Sequence, residues 1–309
     1  VNLDPANLQA SKFIASKYFL SESRLRGSGV KSSPTVRRRQ LSAELIRLRK
    51  AAGLTAEEVV RQLAWSPGKL TYMEGNRWVR PDLANIRALL DLYGVTDKAL
   101  HDAVLTLARQ SREKGWWSKY GDVMRGSLAG FEAAAIDIRA YQALFIPGLL
   151  QIPDYMTAIF RGGRVMDEAL VARRVEARLA RQEIFQQDNP PNLWVILDEA
   201  ALRKVVGSPE IMVRQLEHVI ELSARDYMTI QVLPDAVGAH AAMEGSFMIL
   251  DFKEGDGSIV YVETAMSDLY LETKEELRGY TLIFDHARAS ALSAEISVEY
   301  LAKIIDHLK

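Results

Sequence analysis

The chain has 309 residues, 48% of them hydrophobic and 26% charged, with a net charge of −1; that is long for one core and ordinary for a globular protein, so two domains are expected. Cysteine is absent, which excludes disulfides, thiolate zinc sites and cysteine nucleophiles and suits a reducing compartment. No run of about 18 apolar residues and no basic-then-apolar leader is visible, so the expectation is a cytoplasmic protein with no membrane partner.

Residues 1–29 form an N-terminal arm. Asp4-Pro5 starts a short helix, with Ala6, Ala10, Ile14 and Tyr18 on one stripe, and Gly27-Ser28-Gly29 reads as a flexible joint. Three readings stay open: a native arm, a linker or fusion remnant, or a segment that mimics a partner.

From Lys31 to Arg80 eleven basic side chains face only four acidic ones, an asymmetry that points to a polyanion-facing module inside a neutral chain. Arg37, Arg38 and Arg39 open a helix carried by Leu41, Leu45 and Leu48 and stopped at Gly53. Thr55 with Glu58 forms a capping box for a second helix. Ser66 and Pro67 suit the start of a third, which Gly75 ends. Two short helices joined by a tight turn have the form of a helix-turn-helix, whose second helix enters the DNA major groove. Two further helices, begun at Asp82 and Asp97, complete a five-helix domain over 30–110.

On the recognition helix the outward positions are Ser66, Gly68, Lys69, Thr71 and Tyr72, with Leu70 and Met73 inward. Lys69 reaches a guanine edge or a phosphate, and Thr71 and Tyr72 donate to either. Thr55, Asn76, Arg77 and the Arg37–Arg39 cluster are candidate phosphate contacts. Glu74 is read as an ion-pair partner for a neighbouring arginine, and Trp78 as core.

Residues 111–309 change texture. Gly115-Trp-Trp117 marks a domain joint, Leu128 to Ile138 is apolar and alanine-rich, and helices are expected from Asp154 and over 167–186. Short strands follow at Leu193–Leu197, Met228–Leu233, Ser246–Phe252 and Ser258–Val262, the last two joined by a hairpin at Gly255-Asp-Gly257. A helix over 209–225 and two closing helices complete a mixed α/β domain with a small sheet. The whole is α+β.

Two candidate sites stand out there. Arg174, Arg178 and Arg181 form a basic stripe, either a receptor for an acidic partner or a solvated face paired with Glu176 and Glu183. His240, Glu244 and Glu263 would line a ligand or peptide pocket by the loop 236–245, or at most a catalytic one. The five histidines show no metal spacing, and no phosphate loop or nucleophile elbow occurs. No cofactor is expected, and the protein is read as a non-enzyme.

The ordered pieces Gly53-Leu-Thr-x-Glu-Glu58, Trp65-Ser-Pro-Gly-Lys-Leu-Thr-Tyr-Met-Glu-Gly75, Leu92-Tyr-Gly-Val95, Gly115-Trp-Trp117, Ile146-Pro-Gly-Leu-Leu-Gln151, Asp198-Glu-Ala-Ala-Leu202 and Gln231-Val-Leu-Pro234 resemble the actinobacterial XRE-type helix-turn-helix regulators with a large C-terminal domain of unknown function, the WhiJ-like group. The resemblance covers about 36–309. It implies a homodimeric transcription regulator that binds double-stranded DNA. It also implies that the large domain receives a small neighbour-encoded protein partner; a small ligand as the effector, and an antitoxin-like chain that sequesters that partner, are the alternative readings. Ala56 stands where these families often place Gln, so the first motif helix contributes less to DNA affinity.

Overall fold

A computed structural model describes residues 33–78, 80–124, 126–163, 167–253, 256–264 and 267–309. The expected N-terminal helix and its glycine joint lie outside them, as does Gly255 of the hairpin.

Five helices build the first domain: α1 (Pro34–Ala51), α2 (Ala56–Gln62), α3 (Lys69–Glu74), α4 (Leu83–Leu92) and α5 (Lys98–Gln110). Their starts follow from side-chain oxygens that satisfy amides left open in the first turn. Ser33 accepts from Thr35 N, Asp82 from Ala84 N and Asp97 from Ala99 N. Thr55 and Glu58 form the expected capping box. Leu41, Leu45, Val59, Leu70, Ile86, Leu89 and Leu90 are fully buried in one core.

The expected cap at Ser66 is not formed. Ser66 to Gly68 make a turn closed by Lys69 N donating to Ser66 O, and α3 starts from Gly68 at φ 83 with no side-chain cap. That left-handed conformation breaks helical continuity, so the Ser66 hydroxyl no longer faces the first-turn amides.

Beyond the short helix α6 (Leu128–Glu132) lies a six-stranded sheet of order β3-β2-β1-β4-β5-β6. Its strands are β1 (Asp137–Gln142), β2 (Asn192–Asp198), β3 (Met228–Leu233), β4 (Phe247–Asp251), β5 (Ser258–Glu263) and β6 (Asp268–Leu271). Strands β1, β2 and β3 run parallel, and β4, β5 and β6 add antiparallel neighbours. Helices α7 (Pro153–Gly163) and α8 (Glu168–Gln182) connect β1 to β2. After β2 come α9 (Glu199–Arg203) and α10 (Pro209–Ser223), and α11 (Lys274–Ser290) and α12 (Ala294–Leu308) close the chain.

The sheet is the middle of three layers. Ile138, Ala140, Val195, Leu197, Ile230 and Leu250 face one core with α10 and α12, whereas Tyr141, Ile196, Phe247, Ile249 and Val260 face a second core with Phe284 and Ala287 of α11. Side chains of alternate residues fall on opposite faces, as the pleat requires.

The packing of α1 reaches across the boundary expected near residue 110. Val36 is buried in the core of the sheet domain, while Leu41, Leu45 and Leu48 of the same helix belong to the first domain. At Gly130 a Cβ would lie 2.2 Å from Thr35 Oγ1 and 2.9 Å from the Trp117 ring. Only glycine there lets the start of α1 approach α6 this closely. Helix α1 is therefore a rod shared by both domains.

Candidate nucleic-acid interface and regulatory face

Leu70 and Met73 anchor α3 in the core, 0% and 3% exposed, and the helical period then turns Thr71 and Tyr72 outward. Tyr72 is 49% exposed, and Ser66, Gly68 and Arg77 are exposed beside it. Five side-chain hydrogen bonds gather at the far end of α3. Glu74 accepts from Arg49 Nε and Nη2 at 2.7 and 2.9 Å, and Arg49 Nη1 donates to Leu54 O at 2.9 Å. Ser42 Oγ donates to Met73 O at 2.7 Å and accepts from the buried Trp78 indole at 3.1 Å. Glu74 and Trp78 thus take the roles expected of them.

Lys69 is held back from full extension. Its Nζ donates to Asn85 Oδ1 at 3.0 Å and lies 3.9 Å from the centroid of the Trp65 ring. Thr55 is exposed, but its hydroxyl donates to Glu58 Oε2 at 2.8 Å within the cap.

The arginine cluster at the start of α1 does not act as one group. Arg39 donates from Nε to Glu272 Oε2 at 2.7 Å, and from its other nitrogens to Asp256 O and Ser258 O, with Phe252 beneath the guanidinium at 5.8 Å. Its side chain is 14% exposed. Assigning Arg39 to a DNA phosphate is therefore corrected: it fastens α1 to the sheet domain. Arg38 donates to Thr35 Oγ1 at 3.3 Å, and burial lowers its pKa. Arg37 contacts Gln40 Oε1 at 3.3 Å and lines a cleft between the domains. That cleft also takes in Asn76, at φ 53, whose Oδ1 is buried without a hydrogen-bond partner.

On the sheet domain, the basic stripe of α8 is folded inward. Arg181 donates from Nε and Nη2 to Glu132 at 2.8 and 2.6 Å, and the Glu132 side chain is 1% exposed. Burial alone would lower the Arg181 pKa, but the Glu132 carboxylate outweighs it and the net movement is upward. Arg178 donates to Gln151 Oε1 at 2.6 Å and lies 4.4 Å over the Phe160 ring. Burial, with the positive charge of Arg181, pushes its pKa down to about 10. Arg174 lies 5.7 Å from the same ring, and its Nε is buried without a hydrogen-bond partner. The alternative of a solvated face paired with Glu176 and Glu183 does not describe this stripe, because Glu176 accepts instead from Arg173 and Tyr120.

His240 and Glu263 do not share a pocket. Tyr261 belongs to the core on the α10 side, while Val260 and Val262 pack with the core on the α11 side, so Glu263, two residues beyond Tyr261, falls on the first face. There its charge acts on Arg178 and Arg181. His240 instead joins the α11 face, where Tyr141 belongs. Its Nε2 lies 3.5 Å from Asp198 Oδ2, and Tyr141 donates to that same oxygen at 2.7 Å. Ala242 N donates to His240 Nδ1 at 3.3 Å. Burial first, and then the Asp198 carboxylate, raise the Tyr141 pKa. Glu244 is exposed.

Sequence reading missed Asp198, Tyr141, Glu132, Gln151 and Phe160. One signal was present: Asp198 ends a strand and caps the next helix, accepting from Ala200 N at 3.0 Å, and strand ends of this kind gather polar groups.

The fold and the exposed α3 define a class: a helix-turn-helix protein carrying an α/β domain behind its DNA-binding domain. Residues 40–104 match a family described as a helix-turn-helix domain, and residues 126–303 match the family described as Domain of unknown function (DUF5753). The latter spans more than half of the chain, and the protein belongs to that family. Its helix-turn-helix domain makes it, in outline, a DNA-binding regulator of transcription. Among the described residues no helix is long and apolar enough to cross a membrane. No curated protein and no solved structure matches the chain.

Proposed function

We propose that this protein is a cytoplasmic, homodimeric regulator of an actinobacterium that reads a specific double-stranded DNA sequence through α3, and whose sheet domain binds a small partner protein or ligand that shifts DNA affinity. The observation that carries the reading is α3 itself, held at its far end by Arg49–Glu74 and Ser42–Trp78 while Thr71 and Tyr72 face outward. Gly68, exposed and without a side chain, favours close approach of the helix start to DNA, and Arg77 supplies charge for phosphate. Lys69 reaches a base only by leaving Asn85, so discrimination rests on Tyr72 and Thr71 and on DNA shape.

Arg174 and Arg178 over Phe160 are the proposed contact for an acidic group of the partner, since Arg181 is already neutralised by Glu132. The sheet domain is proposed to bind and not to catalyse: His240 is closed in by Asp198 and Tyr141, its side chain 10% exposed.

Selection from a random pool of duplex DNA tests the reading. Enrichment of a recurring motif supports it, and an unenriched pool overturns it. Co-purification of a small protein, lost in an Arg174→Ala, Arg178→Ala double variant, tests the partner site.

A further inference from the structure

The arginines on α7 and α8 differ in what they hold. Arg161 donates to both oxygens of Glu168 at 3.0 and 2.6 Å, and Arg173 donates to Glu176 at 2.9 Å. Arg178 instead donates to one uncharged acceptor, Gln151 Oε1, and among the described residues Arg174 has no acceptor at all. The Arg174 Nε is fully buried, but the Nε and Nη2 of Arg178 and both terminal nitrogens of Arg174 are neither bonded nor fully buried. Two neighbouring guanidinium groups thus keep open donors and no carboxylate in contact.

Arg178 is also placed in advance. Gln151 is buried and donates from Nε2 to Ile146 O at 2.6 Å, which points its Oε1 at Arg178. Gln182 ties down the same turn by donating to Gly148 O at 2.9 Å and Gln151 O at 2.8 Å. A Cβ at Gly148 would lie 3.3 Å from both Cδ and Nε of Arg178, so the turn packs directly on that side chain. The Phe160 ring lies beside both guanidinium groups. Donors fixed before a ligand arrives lower the ordering cost of binding it.

The local charge selects the ligand. Three cations, Arg174, Arg178 and Arg181, are set against the two anions Glu132 and Glu263, a surplus of one positive charge. Glu132 is already spent on Arg181. A carboxylate carries one negative charge and matches a guanidinium fork. A phosphate group, at about −1.5 to −2, would reverse the imbalance in front of Glu263.

We infer that Arg174 and Arg178 form a carboxylate site, filled by a side-chain or C-terminal carboxylate of an acidic peptide segment and selective against dianions. The inference rests on the reading of the sheet domain as a receptor for a partner, and names the group that the partner brings. The free protein carries the unmatched cation as a standing cost, which the bound carboxylate removes.

The test follows the arginine Nε–H resonances of the full chain, labelled with ¹⁵N-arginine, at constant ionic strength. The probes are N-acetylglutamate amide, N-acetylalanine, N-acetylglutamine amide and sulfate. The two carboxylates are expected to shift the Arg174 and Arg178 resonances saturably, with dissociation constants of about 1–10 mM. Sulfate should bind at least about fivefold more weakly, and the uncharged glutamine amide should shift neither resonance. Whichever carboxylate binds tighter tells a side chain from a chain end as the source. Arg178→Lys, which keeps the charge but loses the fork, should weaken both carboxylates at least about fivefold. Arg174→Met should weaken them similarly and leave the melting temperature within about 3 °C, since it gives up no hydrogen bond. No saturable shift up to about 50 mM, sulfate as tight as the carboxylates, or binding indifferent to both substitutions overturns the inference. Carboxylate binding as expected in a chain from which no small protein co-purifies upholds the site and removes the partner reading. Co-purification of a partner unaffected by either substitution overturns the site and leaves the partner reading in place.

Discussion

Arg39→Ala separates two uses of an arginine at the start of α1, as a DNA contact and as a fastening between domains. The side chain makes an ion pair with Glu272 and two charge-assisted bonds to the carbonyls of Asp256 and Ser258. Bonds to a charged donor contribute about 1.5–3 kcal/mol each. The Glu272 side chain is 41% exposed, so water screens that pair and it adds at most about 1 kcal/mol. Because water re-solvates the freed carbonyls in part, the expected loss is about 3–4 kcal/mol. At roughly 2–4 °C per kcal/mol for a chain of this size, the melting temperature should fall by about 6–16 °C. Limited proteolysis should then cut sooner near residue 110. The salt dependence of DNA binding should keep its slope, whereas a phosphate ligand would take about 0.9 from it. An unchanged melting temperature together with a shallower salt slope would refute the reasoning and return Arg39 to the DNA.

Four further tests concern the Glu132–Arg181 pair, Glu74, the exposed residues of the recognition helix and His218. Glu132→Gln leaves Arg181 charged in the interior and should destabilise by about 3–5 kcal/mol in denaturant unfolding, while Glu132→Leu with Arg181→Leu recovers most of that loss; equal losses for both would show that the pair is not the cause. Glu74→Ala frees the end of α3 and should reduce DNA affinity and thermal stability together, and a loss of neither would contradict its role. Tyr72→Ala should narrow the ratio of specific to random DNA binding, while Arg77→Ala weakens both alike; the reverse pattern in competition titrations would exchange their roles. Burial lowers the His218 pKa against the opposing pull of Glu221. The unfolded chain therefore takes up the proton first, and stability is lost as pH falls through about 6.5. A His218→Gln variant should show a flatter decline between about pH 7 and 5, and an identical decline would remove the assignment.

What the sequence made legible was local. Helix starts at Thr55, Asp82 and Asp97 and the Gly75 stop depend on side chains within a few residues, and all appear in the structure. The four strands between Leu193 and Val262 read correctly because their β-branched runs are bounded by turn residues, whereas the short edge strand β6 was not expected. Strand β1 was missed although two neighbours flank it, since Asp137, Arg139 and Gln142 make it look like a loop. Arg139 is accommodated there by Asp251 on the adjacent β4, at 2.9 Å. That compensation comes from 112 residues away and no window of sequence contains it. The same holds for Arg39 and for the pairing of Arg181 with Glu132. The residues were visible as charges, but their partners were set by tertiary structure. The division of His240 and Glu263 between faces needed strand register, which charge and loop composition do not encode.

Whether α3 reads DNA sequence is decided by duplex selection followed by titration of the winning motif against random DNA at two salt concentrations. A homodimer should select a motif of two related half-sites about 10 base pairs apart, or a multiple of that spacing. Binding to that motif should be at least about 10³-fold tighter than to random DNA, and Tyr72→Ala should lose that preference. Binding of equal strength to every duplex, weakened by salt and indifferent to Tyr72, would contradict sequence reading by α3.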